Sequence, residues 1–187
     1  MATCSTYCAT SFPEHTVNEC NTTIGAGVKN MIVFNCQSEA AANDDFTEAT
    51  INADIAAGYA TLIKDIKSGS AAVTPNPVSA VYVSGNVAGT KNYTVDITLA
   101  DQNVSIDNDA AYQELNATTG TEIAAVLSDL VEAGTNCVVY KPISSFSMTG
   151  GLVVAEDDAD VLHYEFTLSG KSKYGPELVL RPANVFE

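Results

Sequence analysis

The side chains able to do chemistry are few, and their spacing offers little to catalysis. His163 and Glu165 stand two apart in Leu162-His163-Tyr164-Glu165-Phe166-Thr167-Leu168, an alternating tract. As a strand this tract puts His163, Glu165 and Thr167 on one face and Leu162, Tyr164, Phe166 and Leu168 on the other. A histidine beside a carboxylate has the form of an acid/base pair, but it is also an ordinary solvent-facing arrangement, and that is the expectation here. Glu156, Asp157, Asp158 and Asp160 form the densest cluster of charge. Hard cations such as calcium favour several carboxylates in one loop. The cluster lacks the Asp-x-Asp-x-Asp-Gly spacing and distal Glu of an EF-hand, so a solvated hairpin tip is expected. Cys4, Cys8, His15 and Cys20 are zinc-ligand types without the paired C-x-x-C knuckles of a zinc site. There is no G-x-S-x-G elbow, P-loop, H-E-x-x-H or G-x-G-x-x-G. The chain is therefore not expected to be an enzyme. No catalytic, cofactor-binding or metal-binding residue is assigned, and no cofactor.

Charge narrows the function further. The 187 residues hold 23 acidic side chains against 8 basic ones, with two histidines and a formal charge of -15. Neutralising phosphates takes clustered Lys and Arg, and here the cations are scattered singly or in pairs, which argues against a nucleic-acid-binding face. No run reaches the ~20 apolar residues of a membrane helix. The first residues have no basic n-region or apolar h-region, so the expected site of synthesis and folding is the cytoplasm of the producing cell. Five cysteines, an odd number without a signal peptide, favour reduced thiols or one local disulfide in the N-terminal arm. Cys36 and Cys137, inside apolar runs, read as small hydrophobes. The Asn-x-Ser/Thr triplets at Asn21, Asn92, Asn103 and Asn116 are expected from an Asn- and Thr-rich composition.

The elements that must position these residues follow from periodicity. Residues 1–26 have none and read as an irregular arm; residues 27–187 read as a single β-rich structural domain. Val28 to Cys36 is an apolar strand. Asp44 or Asp45 with Glu48 predicts a helix start. Ile51, Ile55, Tyr59, Leu62, Ile63 and Ile66 then continue it as one amphipathic helix over 45–67. Pro75 and Pro77 predict a loop over 70–78. Strands are expected over 79–85 and 93–99, joined by a turn at Gly89, with Tyr93, Val95, Ile97 and Leu99 on one face. A short strand is expected at 104–106. Thr119-Gly120-Thr121-Glu122 followed by Ile123, Val126, Leu127, Leu130 and Val131 predicts a second helix, stopped by Gly134. The remainder reads as strands over 137–140, 144–155, 160–169 and 177–181, with 144–169 a long hairpin carrying the acidic tip. The fold class is α+β, mainly β: an antiparallel β-sandwich or barrel with one or two packed α-helices and a long C-terminal hairpin.

A helix packed on such a sheet architecture, carried by Gly27 to Cys36, the 45–67 segment and the run from Phe146-Ser147-Met148-Thr149-Gly150-Gly151 to Phe186, resembles the tail-tube family of tailed bacteriophages. That family includes the tubes of contractile injection systems. The tract Glu165-Phe166-Thr167-Leu168-Ser169-Gly170-Lys171-Ser172 is similar to an inner tube strand, and the Trp-free, Ala/Thr/Asn/Val-rich composition is similar to that of phage virion proteins.

The resemblance implies a structural subunit of a bacteriophage tail tube, a homo-oligomer forming hexameric rings that stack. Residues 1–26, 37–44 and 70–78 are then candidates for the stacking contacts. It also implies an anionic channel for DNA ejection, through which the genome slides without specific binding. Its partners are further copies and other virion proteins, with no membrane. Its location is the virion tail, after assembly in the host cytoplasm. The segments 70–78 and 119–133 depart from the minimal tube pattern. They keep open another virion component: a head-to-tail connector ring, tail completion protein, fibre or capsid accessory protein. A calcium- or carbohydrate-binding β-domain with a site near Glu156 to Asp160 is the reading from a different class.

Overall fold

A computed structural model describes residues 28–81, 87–117, 123–130, 136–141, 146–154, 162–172 and 175–186. In chain order the elements are β1 (Val28–Asn35), α1 (Glu39–Asn43), α2 (Glu48–Ala56), β2 (Ala60–Ile63), β3 (Ser68–Val81), β4 (Val87–Asp101), α3 (Ile106–Ala117), β5 (Ile123–Leu130), β6 (Asn136–Tyr140), β7 (Ser147–Val153), β8 (His163–Ser172) and β9 (Glu177–Leu180), with a 3-10 turn at Ala183–Val185. The strands form two antiparallel sheets, ordered β2-β1-β5-β6-β9 and β3-β4-β8-β7. The α+β, mainly β class holds, with three short α-helices among the described residues.

The sheets share one core. Val95, Ile97 and Leu99 of β4, Met148 of β7, and Tyr164, Phe166 and Leu168 of β8 meet Val28, Met31 and Val33 of β1, Ile63 of β2 and Val126 of β5. The alternation expected for β4 and β8 is what buries these rows. A second core lies on the other face of the five-stranded sheet. There Ile32, Phe34, Ala125, Leu127 and Val139 pack with Ala40 and Ile51 of the helices, Phe46 between them, and Val185 and Phe186 near the C-terminus. Phe34 and Phe46 meet edge-on at 5.7 Å between centroids. β1 and β5 are thus apolar on both faces, as central strands between two layers must be.

Two irregularities explain the pairing of faces. The register between β1 and β5 jumps between Val28 and Asn30, and again between Phe34 and Asn35. The first jump lets Val28 and Met31, three apart, share a face. The second passes over Ala124 on β5, so Ile123 and Val126 also share one.

Several expectations are corrected. The helix over 45–67 is only α2: the chain turns at Gly58 (φ 73) and then enters β2, paired with β1. The cap is also different. Asp44 is the left-handed C-cap of α1, Asp45 accepts a bond from the Thr50 hydroxyl at 2.8 Å, and Thr47 is the N-cap of α2. α1 is capped by Ser38 Oγ, which accepts from the Ala41 amide at 3.0 Å. Buried Asp54 lies beneath it, accepting from Ser38 Oγ at 2.6 Å and from the Ala40 amide at 3.0 Å. The 70–78 loop is strand β3, and Gly89 lies inside β4 opposite Ser79. Residues 106–117 are helix α3, not the end of a short strand at 104–106. The described part of the 119–133 helix, residues 123–130, is β5, a central strand. Cys137 is a buried free thiol as expected, but Cys36 is in a disulfide, whose other sulfur lies outside the described residues. Both strands of the β7–β8 hairpin are present, while its tip, Glu156 to Asp160, lies outside the described residues, as does the 1–26 arm.

Candidate assembly interface

β3 and β4 pair without a register shift from Ser68↔Ala100 to Val81↔Val87. Among the described residues β8 accompanies β4 over Tyr93–Asp101. The six outer pairs, Asn76↔Asn92 through Val81↔Val87, therefore lie beyond the third strand as a two-stranded β-arm. At about 3.4 Å per residue the arm extends roughly 20 Å past the sheet. A two-stranded ribbon is marginal in water by itself, so an arm of this length calls for a surface to lie on.

The sequence of the arm differs from that of the rest of the chain. From Ile66 to Val95 there is no carboxylate, and the charged residues are Lys67 and Lys91. This acid-free run sits inside a chain with 23 acidic residues. Among the described residues β3 is also an edge strand, and the backbone groups of an edge are ones that other chains can pair with. Pro75 and Pro77, two apart, occupy one parity of that strand, and the ladder with β4 runs through both. Proline is tolerated at an edge because it has no N–H to leave unpaired, and it blunts edge-to-edge pairing for the same reason.

At the opposite end of β4 a polar network anchors α3 and shapes a recess. Buried Asp101 accepts from the Tyr112 hydroxyl and from the Asn103 amide, both at 2.8 Å. Ser105 Oγ accepts from the Asn108 amide at 3.1 Å, as an N-cap does. The Asn108 side chain donates to the Asn103 carbonyl at 2.8 Å. From the sheet, the Tyr164 hydroxyl donates to the Ser105 carbonyl at 3.1 Å. Tyr112 stacks on Phe166 at 4.3 Å and tilts against Tyr164 at 4.9 Å. Burial, and next the Asp101 charge, hold the Tyr112 phenol well above its ordinary pKa, so it stays a neutral donor. Between α3 and the β7–β8 hairpin these residues leave a cavity of about 270 Å³, bordered by Asp109, Gln113, Asn116 and Leu152.

The residues singled out for chemistry do not converge. His163 is half-buried and Glu165 exposed, on the outward face of β8 as expected. The acidic tip and the Cys4/Cys8/His15/Cys20 set lie outside the described residues. Among the described residues no three His, Cys, Asp or Glu side chains are grouped to hold a metal, and no helix is long and apolar enough to cross a membrane. Sequence reasoning passed over the arm because prolines dominated the reading of 70–78. The signal that could have found it was the run of thirty residues without a carboxylate. No protein-family model, curated protein or solved structure matches the chain.

Proposed function

We propose that this chain is a self-assembling structural subunit of a bacteriophage tail tube or a closely related tube, built from stacked rings. The observation that carries the reading is the β3–β4 arm, a ribbon extending past its own sheet with no third strand paired to it among the described residues. Such a ribbon gains stability by lying on a neighbouring copy, and repeating that contact around an axis gives a ring or tube. Two further features support it. The acidic residues lie outside the 66–95 run, so the body of each subunit supplies the negative field that lets DNA slide through a channel without sticking. A disulfide at Cys36 suits a particle that meets oxidising surroundings outside the cell.

The test is light scattering and negative-stain electron microscopy of the full chain across a concentration series, beside a variant in which residues 76–92 are replaced by Asn-Gly. The full chain should form rings or tubes with a central channel. The trimmed variant should keep its circular dichroism spectrum and remain a monomer. A full chain monomeric at every concentration, or a trimmed chain that still forms rings, overturns the reading.

A further inference from the structure

We infer that the arm of one copy docks on the recess between α3 and the β7–β8 hairpin of the next. This rests on the assembly reading above and names the surface it uses. Five large apolar side chains among the described residues are exposed: Leu152 at 43% borders this recess, and Ile106 at 89%, Val154 at 71% and Leu162 at 38% stand within three positions in sequence of residues that line it. Their proximity follows from the bonding. Leu152 is the cross-strand partner of Tyr164, whose hydroxyl reaches the Ser105 carbonyl next to Ile106. Leu152 and Asp109 border the same cavity, and Ile106 is one helical turn from Asp109.

The patch arises from the strand alternation. Met148, Gly150 and Leu152 of β7 stand opposite Leu168, Phe166 and Tyr164 of β8, which all belong to the shared core. The core-facing row therefore runs on through Leu152 and Val154 until it emerges into solvent. A core row left uncovered at its end marks an interface.

Charge selects the occupant. Asp107 and Asp109 stand in the first turn of α3 beside the patch. An acidic partner would be repelled. The longest run of this protein without carboxylates, residues 66–95, contains the arm, which is rich in valine and carries Lys91. Arm and recess are different surfaces of the same chain, so the contact is heterologous: each copy receives one arm and gives one, as ring and tube growth require.

The experiment uses Leu152→Asp with Val154→Asp, both at exposed positions, the arm-trimmed variant, and Leu180→Asp as a control at the fifth exposed apolar site (78%). The charged-patch variant should stay monomeric and the control should assemble like the unmodified chain. Lys91→Glu should raise the concentration needed for assembly at least about tenfold, with the effect reduced by salt. Mixing the arm-trimmed and charged-patch variants should give a one-to-one dimer that grows no further, because one arm and one recess remain. If the unmodified chain assembles and the charged-patch variant assembles equally well, or the mixture gives no dimer, the docking site is wrong while self-assembly stands. If the unmodified chain never assembles, the reading beneath it fails as well.

Discussion

Arg181 grips Asp129 through two bonds, Nε to Oδ1 at 2.8 Å and a terminal guanidinium nitrogen to Oδ2 at 3.2 Å, across 52 positions of sequence. Asp129 is only 2% exposed and also accepts from the Asn30 amide at 2.8 Å. The pair fastens β5 to the segment after β9, and the guanidinium lies over the Phe186 ring at 5.4 Å. Replacing Arg181 with Met should cost about 3 kcal/mol, because it leaves a buried carboxylate short of its counter-charge. Adding Asp129→Val should recover much of that loss. Urea unfolding of the two single variants and the double variant measures the coupling, and simple additivity would deny that the two residues act as a pair.

Alkali should unfold the protein by a route set by its buried acids. Burial first, then the Asp129 charge, push the Cys137 thiol up to about 12. Burial also raises the Tyr112 and Tyr140 phenols. The folded chain therefore holds these protons at pH values where the unfolded chain has released them. That stabilisation is complete below the ordinary values of 9.0 for the thiol and 10.0 for the phenols, and it is lost as pH rises through the folded values. Thermal unfolding midpoints should fall steadily above about pH 9. Tyrosinate absorbance should show a late, unfolding-coupled step that Asp101→Asn moves to lower pH. Ordinary titration of every tyrosine in the folded state would contradict this.

Two adjacent glycines should differ sharply. A Cβ on Gly150, whose φ is 147, would lie 2.1 Å from the Glu165 carbonyl oxygen; one on Gly151 meets nothing within 4 Å. Gly150→Ala should cost about 2–4 kcal/mol and Gly151→Ala no more than about 0.5 kcal/mol. Equal midpoints in denaturant for the two variants would mean that β7 does not pass Phe166 as described.

Pro75 and Pro77 should guard the edge of β3. Replacing both with Val should leave the circular dichroism spectrum intact and raise thioflavin-positive aggregation on incubation, since it restores two edge amides able to pair with another chain. Unchanged solubility would mean that the edge is protected in some other way.

How much of this was legible in the sequence depended on where each segment sits. β4 and β8 each show one face to a core, so Val95, Ile97 and Leu99, and Tyr164, Phe166 and Leu168, alternate cleanly and were readable. β5 serves two cores and contains the irregularity at Ala124, so Ile123, Val126 and Leu127 take on the three- and four-residue spacing of a helix. The stripe from Ile51 to Ile66 misled for another reason. Gly58 breaks it, and its later members follow the pleat of β2, with Ile63 in one core and Leu62 packed against the other. α3 announces itself with only a thin apolar face, and its hold on the sheet comes from Asp101 and Ser105, contacts that no periodicity encodes. The chemistry-bearing residues were legible as types. The arm and the recess were not, because they are defined by where strands stop pairing.

The order of the strands also sets a timetable. In the four-stranded sheet each of β3–β4 and β7–β8 is a hairpin of neighbours in sequence, whereas β1 must wait for β5, with Asn30 bonding Asp129 across 99 positions. During synthesis β1 emerges before β5, with both faces apolar and the short β2 as its earlier partner among the described strands, so loop closure over that span is the slow step. Until β5 arrives, the nascent chain exposes the strand whose residues fill both cores. It is then that a chaperone, or misassembly with another nascent chain, can act on it.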